Sequence, residues 1–155
     1  MSAPKTTTKE ARRQDLLKRH NRKAVETGQR LQGEFFLKLL DEFDQLDPEW
    51  TESWLNWIYD DLYNRDVLDP KTRVLIVIGE CCVSDEQVQL PNHIRSAMEL
   101  GATPKQILEV VLQSAVYAGM PKMIKSMRTY RELMKSMGVL KLTDSEFRGD
   151  AQDKR

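Results

Sequence analysis

Each of two aspartate–proline pairs, Asp47-Pro48 and Asp69-Pro70, marks the start of a helix. The carboxylate accepts a free backbone N–H of the first turn, and proline at the first helical position gives up no hydrogen bond. Ser84 with Gln87, and Thr103-Pro104 with Gln106, have the spacing of capping boxes and predict two more starts. Gly101 and Gly138 stand where a left-handed residue closes a helix. With the apolar spacing, this punctuation predicts helices over 9–29, 33–45, 48–64, 70–82, 85–100, 104–118 and 120–137, and no strand alternation. Val74-Leu75-Ile76-Val77-Ile78 is β-branched enough for a strand, yet it follows a cap and runs to Glu80 without a breaker, so it reads as a buried central helix. The fold class is all-α.

The last predicted helix carries Met120, Met123, Met127, Tyr130, Met134 and Met137 at three- and four-residue spacing, a single stripe for a core or a subunit interface. Trp50, Trp54 and Trp57 share that spacing and read as packing residues. At 155 residues the chain can bury one sizeable core and is expected to form one domain over 9–142, with 9–45 as an N-terminal helical extension. The first 8 residues and the tail from 143 are polar and expected to be disordered.

Charge excludes some partners. The 24 basic and 24 acidic residues balance, so no net field draws the molecule to nucleic acid or to an anionic membrane. Nine Lys or Arg lie between Lys5 and Arg30 against three acids, and ten Asp or Glu lie between Asp41 and Asp69 against Arg65 alone, so the basic arm and acidic middle should attract. The arm lacks aromatics, clusters poorly on one face and is interrupted by glutamates, which argues against a nucleic-acid surface; His20 within it reads as a surface residue. No stretch approaches the roughly 20 apolar residues of a membrane span, and the N-terminus has no signal-peptide core. Cys81 and Cys82 are adjacent, with neither disulfide nor metal-ligand spacing, which suits a reducing, cytoplasmic setting.

The succession Tyr63-Asn64-Arg65-Asp66-Val67-Leu68, Asp69-Pro70-Lys71-Thr72-Arg73, Leu90-Pro91-Asn92-His93-Ile94-Arg95, Gly101-Ala102-Thr103-Pro104 and Ala115-Val116-Tyr117-Ala118-Gly119-Met120-Pro121 resembles the carboxymuconolactone decarboxylase family over residues 59–134. The resemblance implies an all-α, AhpD-like bundle of about six or seven helices, a homo-oligomer that is a trimer or hexamer, and active sites near subunit contacts without metal or organic cofactor. It implies as substrate a small carboxylate or lactone, decarboxylated to an enol-lactone and carbon dioxide. A peroxidase branch of the superfamily carries a C-x-x-C pair four and seven residues before the histidine; here those positions are Gln89 and Glu86, so no thiolate nucleophile stands there. Decarboxylase relatives often place acids where this chain has Val74 and Gln89. Those departures leave room for a different proton transfer, such as isomerisation or lactone hydrolysis, or for a non-catalytic scaffold.

His93 is the leading candidate for general acid or base, since an imidazole can exchange a proton near neutral pH; its alternative is a hydrogen-bonded core histidine. Arg73 and Glu80 are seven residues apart and share a helix face. Arg73 could clamp a substrate carboxylate, and Glu80 could orient His93 or act as a second acid–base group; alternatively the two form a structural ion pair or a solvated helix face. Gln89 lies one turn before His93 and could orient substrate or ring, whereas Arg95 points away and reads as structural. Tyr117, just before Gly119 and Pro121, could present its hydroxyl to substrate or pack in the core.

Overall fold

The computed structural model describes residues 9–140; the segments expected to be disordered, 1–8 and 143–155, lie outside the described residues. Among the described residues all regular structure is helical: α1 (Lys9–Arg19), α2 (Arg22–Leu46), α3 (Pro48–Leu55), a π-helical segment (Asn56–Leu62), α4 (Pro70–Ser84), α5 (Leu90–Glu99), α6 (Pro104–Gln113) and α7 (Ala115–Ser136). The chain divides after Val74 into two compact units. No single helix among the described residues is long and apolar enough to cross a membrane.

Both aspartate–proline starts form as expected. Asp47 Oδ1 accepts the Trp50 N–H at 3.0 Å and Asp69 Oδ1 accepts the Thr72 N–H at 3.1 Å. The Thr103–Gln106 capping box closes in both directions, at 2.9 and 3.2 Å. Gly101 and Gly138 adopt φ of 86° and 70°, the left-handed closure.

Other boundaries move, for local reasons. The first break falls at residues 20–21, where the Asn21 side chain caps the Ala24 N–H, so α2 runs from Arg22 to Leu46 with only a kink at Gly33 (φ 57°, ψ −137°). The expected start at 85 is wrong: Asp85 sits at φ 66°, and Ser84 turns its hydroxyl back to the Glu80 carbonyl at 2.8 Å instead of capping. α5 therefore begins at Leu90. The expected 48–64 helix widens into π geometry from Asn56, closed by Tyr63 N–H on the Ile58 carbonyl at 2.9 Å. α6 stops at Gln113, and Gly119 at φ 78° kinks α7 before Pro121.

In the first unit, α2 packs against α1, α3 and the π-helical segment around Leu16, Val25, Phe36, Leu40, Leu55 and Tyr59. Trp54 meets Phe43 and Tyr59 edge-on, at centroid distances of 5.0 and 5.3 Å, and stacks on Trp50 at 6.2 Å. Trp50 and Trp57 are nonetheless exposed, so only part of the tryptophan stripe packs. The basic arm does meet the acidic middle: Arg12 pairs with Asp41, Arg19 with Asp44 at 2.5 Å, and Lys23 with Asp60 at 2.7 Å. His20 is not a surface residue; it is buried with Nδ1 2.7 Å from Glu52 and Nε2 2.8 Å from Asp44. Burial works against the Asp44 carboxylate, but the Arg19 and His20 hydrogen bonds hold it below its ordinary range.

In the second unit, α5, α6 and α7 pack together around Leu90, Ile94, Ile107, Val111 and Met134, with Ile78 and Cys82 of α4 also buried. Met123, Tyr130 and Met134 of the methionine stripe are buried, whereas Met120 and Met137 are exposed. α4 is not buried all round: Val74 and Ile78 are covered while Ile76 and Val83 are exposed. The α4–α5 turn is tied to α7 by Lys125–Asp85 at 2.7 Å, by Gln87 donating to Ser126 at 3.2 Å, and by Thr129 donating to Gln87 at 2.7 Å.

Candidate functional site

The turn between α4 and α5 positions the leading candidate. The Glu86 N–H bonds the Cys81 carbonyl at 2.8 Å, and the Glu86 carboxylate accepts the N–H groups of Val88 and Gln89 at 2.9 and 3.2 Å. The Gln89 carbonyl accepts from Asn92 and His93, at 2.9 and 3.2 Å, so the first turn of α5 is fixed from both sides. Leu90, His93, Ile94 and Ala97 recur at helical spacing on the buried stripe of α5. His93 is thus set among apolar side chains and is only 4% exposed.

No described residue hydrogen-bonds the imidazole of His93. Burial lowers its pKa from the ordinary 6.5, and the negative charge of Glu86 partly opposes that shift. The neutral ring is therefore favoured near pH 7. Glu80, proposed from spacing to orient this ring, is exposed and makes no ion pair or hydrogen bond to it; the carboxylate whose charge reaches the imidazole is Glu86. Glu86 stands in the sequence reading only as a position without a cysteine, and its place beside His93 was missed there. Its spacing to Gln89 was a signal, since an acid three residues before a free N–H can cap it.

Gln89 is half-buried at the start of α5, one turn before His93, with no capping bond from its side chain. Tyr117 is 94% exposed, so the core-packing alternative for it is wrong within one chain. Arg95 is exposed and donates to Asn92 at 3.3 Å, in keeping with a structural reading. Cys81 and Cys82 are buried. Burial, with the nearby Cys82, Glu86 and Glu80, pushes the Cys81 thiol up to about 11, and burial also raises Cys82 despite hydrogen bonds with Ser126 and Ser114. Neither is a ready thiolate.

In the first unit, Arg73 spends its guanidinium on backbone: Nη2 donates to the Arg65 carbonyl at 2.8 Å and Nε to the Leu68 carbonyl at 3.2 Å. That fastening shapes the 65–69 loop, which with Arg30, Tyr63 and Pro70 borders a cavity of about 230 Å³. Arg30 and Arg65 line it together with Asp66 and Asp69, so opposite charges balance there. Among the described residues no group of three His, Cys, Asp or Glu is placed to hold a metal ion.

A 15.0 kDa protein of Paracoccus denitrificans, encoded between nqo9 and nqo10, is 32% identical over 99 residues, which is 59% of this chain and 74% of the relative. The nitrosuccinic acid decarboxylase of Metarhizium robertsii is 32% identical over 81 residues, 52% of this chain and 57% of that enzyme. The 4-carboxymuconolactone decarboxylase of Acinetobacter baylyi is 24% identical over 103 residues, 66% of this chain and 75% of the enzyme. Residues 48–132, which hold Arg73, Glu80, Glu86, Gln89, His93 and Tyr117 but not α1 or α2, match the model of one family, and the chain belongs to the carboxymuconolactone decarboxylase family.

Proposed function

We propose that the protein is a cofactor-free decarboxylase of a small carboxylic acid that carries its own electron acceptor, with His93 as the proton-transfer group. The observation that carries this reading is the buried His93 imidazole without a hydrogen-bonded partner among the described residues. Neither ring nitrogen is among the fully enclosed unpartnered atoms of the described residues, so the imidazole stays open to an arriving ligand and can exchange a proton with it.

Loss of carbon dioxide breaks a carbon–carbon bond and leaves an electron pair, which needs an acceptor until a proton reaches carbon. The substrates named for two relatives supply one, a nitro group in nitrosuccinic acid and a lactone carbonyl in 4-carboxymuconolactone. An arriving substrate carboxylate would favour the charged form of His93, which burial otherwise disfavours. The imidazolium then delivers its proton to the carbon that lost carbon dioxide, and solvent restores it. Gln89, one turn away, orients the acid; Glu80, Arg73 and Tyr117 serve this site only where a second chain brings them to it.

The same reading has the chain assembled with copies of itself as a trimer or hexamer. Val116, Tyr117 and Met120 form a contiguous exposed apolar run at the start of α7, and Leu112 of α6 is exposed as well, surface that self-association would cover. The test is release of carbon dioxide from 4-carboxymuconolactone and from nitrosuccinate by purified protein without added metal or cofactor. Release from either acid is expected. No release from these or other acceptor-bearing acids, with fully folded protein, would sink the reading.

A further inference from the structure

We propose that Glu86 is the positioning carboxylate of His93: it builds the turn that aims the ring and supplies the negative charge that supports the imidazolium during proton transfer. The proposal rests on His93 being the proton-transfer group. Its geometric basis is the shared peptide of Gln89, whose N–H is held by the Glu86 carboxylate at 3.2 Å and whose carbonyl holds the His93 N–H at 3.2 Å. Oε1 of Glu86 takes both the Val88 and Gln89 N–H groups, while Oε2 bonds no described residue and is left to act through space. Glu86 also acts electrostatically on the elements to either side of its turn, raising Cys81 on α4 and opposing the effect of burial on His93 of α5.

Glu86 is the charge that acts on the His93 ring, although α7 also carries half-buried Arg131, paired with Glu132 at 2.6 Å, and half-buried Lys135. On α6, Lys105 and Glu109 are exposed. On α7, Lys122 donates to the Val83 carbonyl, Lys125 pairs with Asp85, and Arg128 is exposed; Tyr130 gives its hydroxyl to the Pro104 carbonyl. Arg95 and Glu99 of α5 itself are exposed, as is Glu80 of α4.

Glu86→Gln separates the two duties, because an amide oxygen still accepts both N–H bonds but carries no charge. The chain has only two histidines, so ring resonances of His20 and His93 can be followed by NMR across a pH titration, with His93→Gln fixing the assignment. In Glu86→Gln the His93 midpoint should move to lower pH, and Glu86→Asp should bring it back towards wild type. Once a substrate is known, the limb of the kcat/KM profile that reports His93 should move the same way, with turnover down about 10-fold, less than the roughly 10²- to 10⁴-fold that a proton-transfer group itself contributes. An unmoved or raised His93 midpoint in folded Glu86→Gln would overturn the proposal. The titration needs no substrate, so a failed decarboxylase assay on wild type leaves this result standing and separates the two claims.

Discussion

The imidazole of His93 occupies a place where an apolar ring would pack as well, and its burial has a consequence for stability. Its folded pKa lies below the ordinary 6.5, so as pH falls past about 6.5 the unfolded chain takes up the proton first. The contribution is fully present above that value and is lost as pH falls towards the lowered midpoint. The gap in unfolding free energy between wild type and His93→Gln should therefore shift in the variant's favour from about pH 7.5 to about pH 5, read by denaturant melts. A gap that does not change with pH would show that His93 is solvated. The cysteines make a contrasting case: with the Cys81 thiol pushed up to about 11, replacing Cys81 and Cys82 by alanine should leave turnover nearly intact while lowering the melting temperature through lost packing. Arg73 holds the Arg65 and Leu68 carbonyls, so Arg73→Ala should destabilise by about 1 kcal/mol, and a large KM increase without loss of stability would instead restore it as a substrate anchor.

At the scale of elements, the helix starts at Pro48, Pro70 and Pro104 were legible because a cap is local chemistry, decided within four residues. Asp69→Ala should cost about 1 kcal/mol, measurable as a shift in the denaturant midpoint. The break at Asn21 was not legible: the arm reads as one continuous charged helix, and Asn21 is drawn out by the Glu52, Asn56 and Asp60 side chains, contacts more than 30 residues away in sequence. The start of α5 failed for a related reason. Ser84 and Gln87 have capping-box spacing, but Gln87 is taken by Ser126 and Thr129 of α7, and Asp85 turns left-handed instead. The consequence reached the site, since Glu86 became the carboxylate of the turn rather than a residue of the helix. His93 was singled out in the sequence by chemistry and by motif, and its burial by the apolar spacing of α5, while the lack of contact from Glu80 depends on side-chain directions that spacing alone does not give. Gly28 was likewise invisible as a constraint; a Cβ there would fall into the Phe36 ring, and Gly28→Ala should destabilise by about 1–3 kcal/mol as overpacking does.

Across the whole molecule, the charge asymmetry legible in composition becomes a network in which buried His20 bridges buried Asp44 and half-exposed Glu52 beside half-exposed Arg19. Removing Asp44 leaves His20 with Glu52 and Arg19 with solvent, so Asp44→Ala should cost about 1–2 kcal/mol, read by thermal or denaturant unfolding. Arg19, His20 and Asp44 lie outside the span matched to the family, 48–132, and Glu52 lies inside it, so the network fastens the arm to the matched part. An assembled enzyme should scatter light as a multimer at micromolar concentration, and a clean monomer would remove Tyr117 from any active site. The central claim is tested most directly by carbon dioxide release from His93→Gln beside wild type, on an acid that wild type decarboxylates. Loss of about 10²- to 10⁴-fold, with unfolding and assembly unchanged at neutral pH, is the expected result. Near-wild-type release by a folded His93→Gln would contradict the account and return His93 to the core.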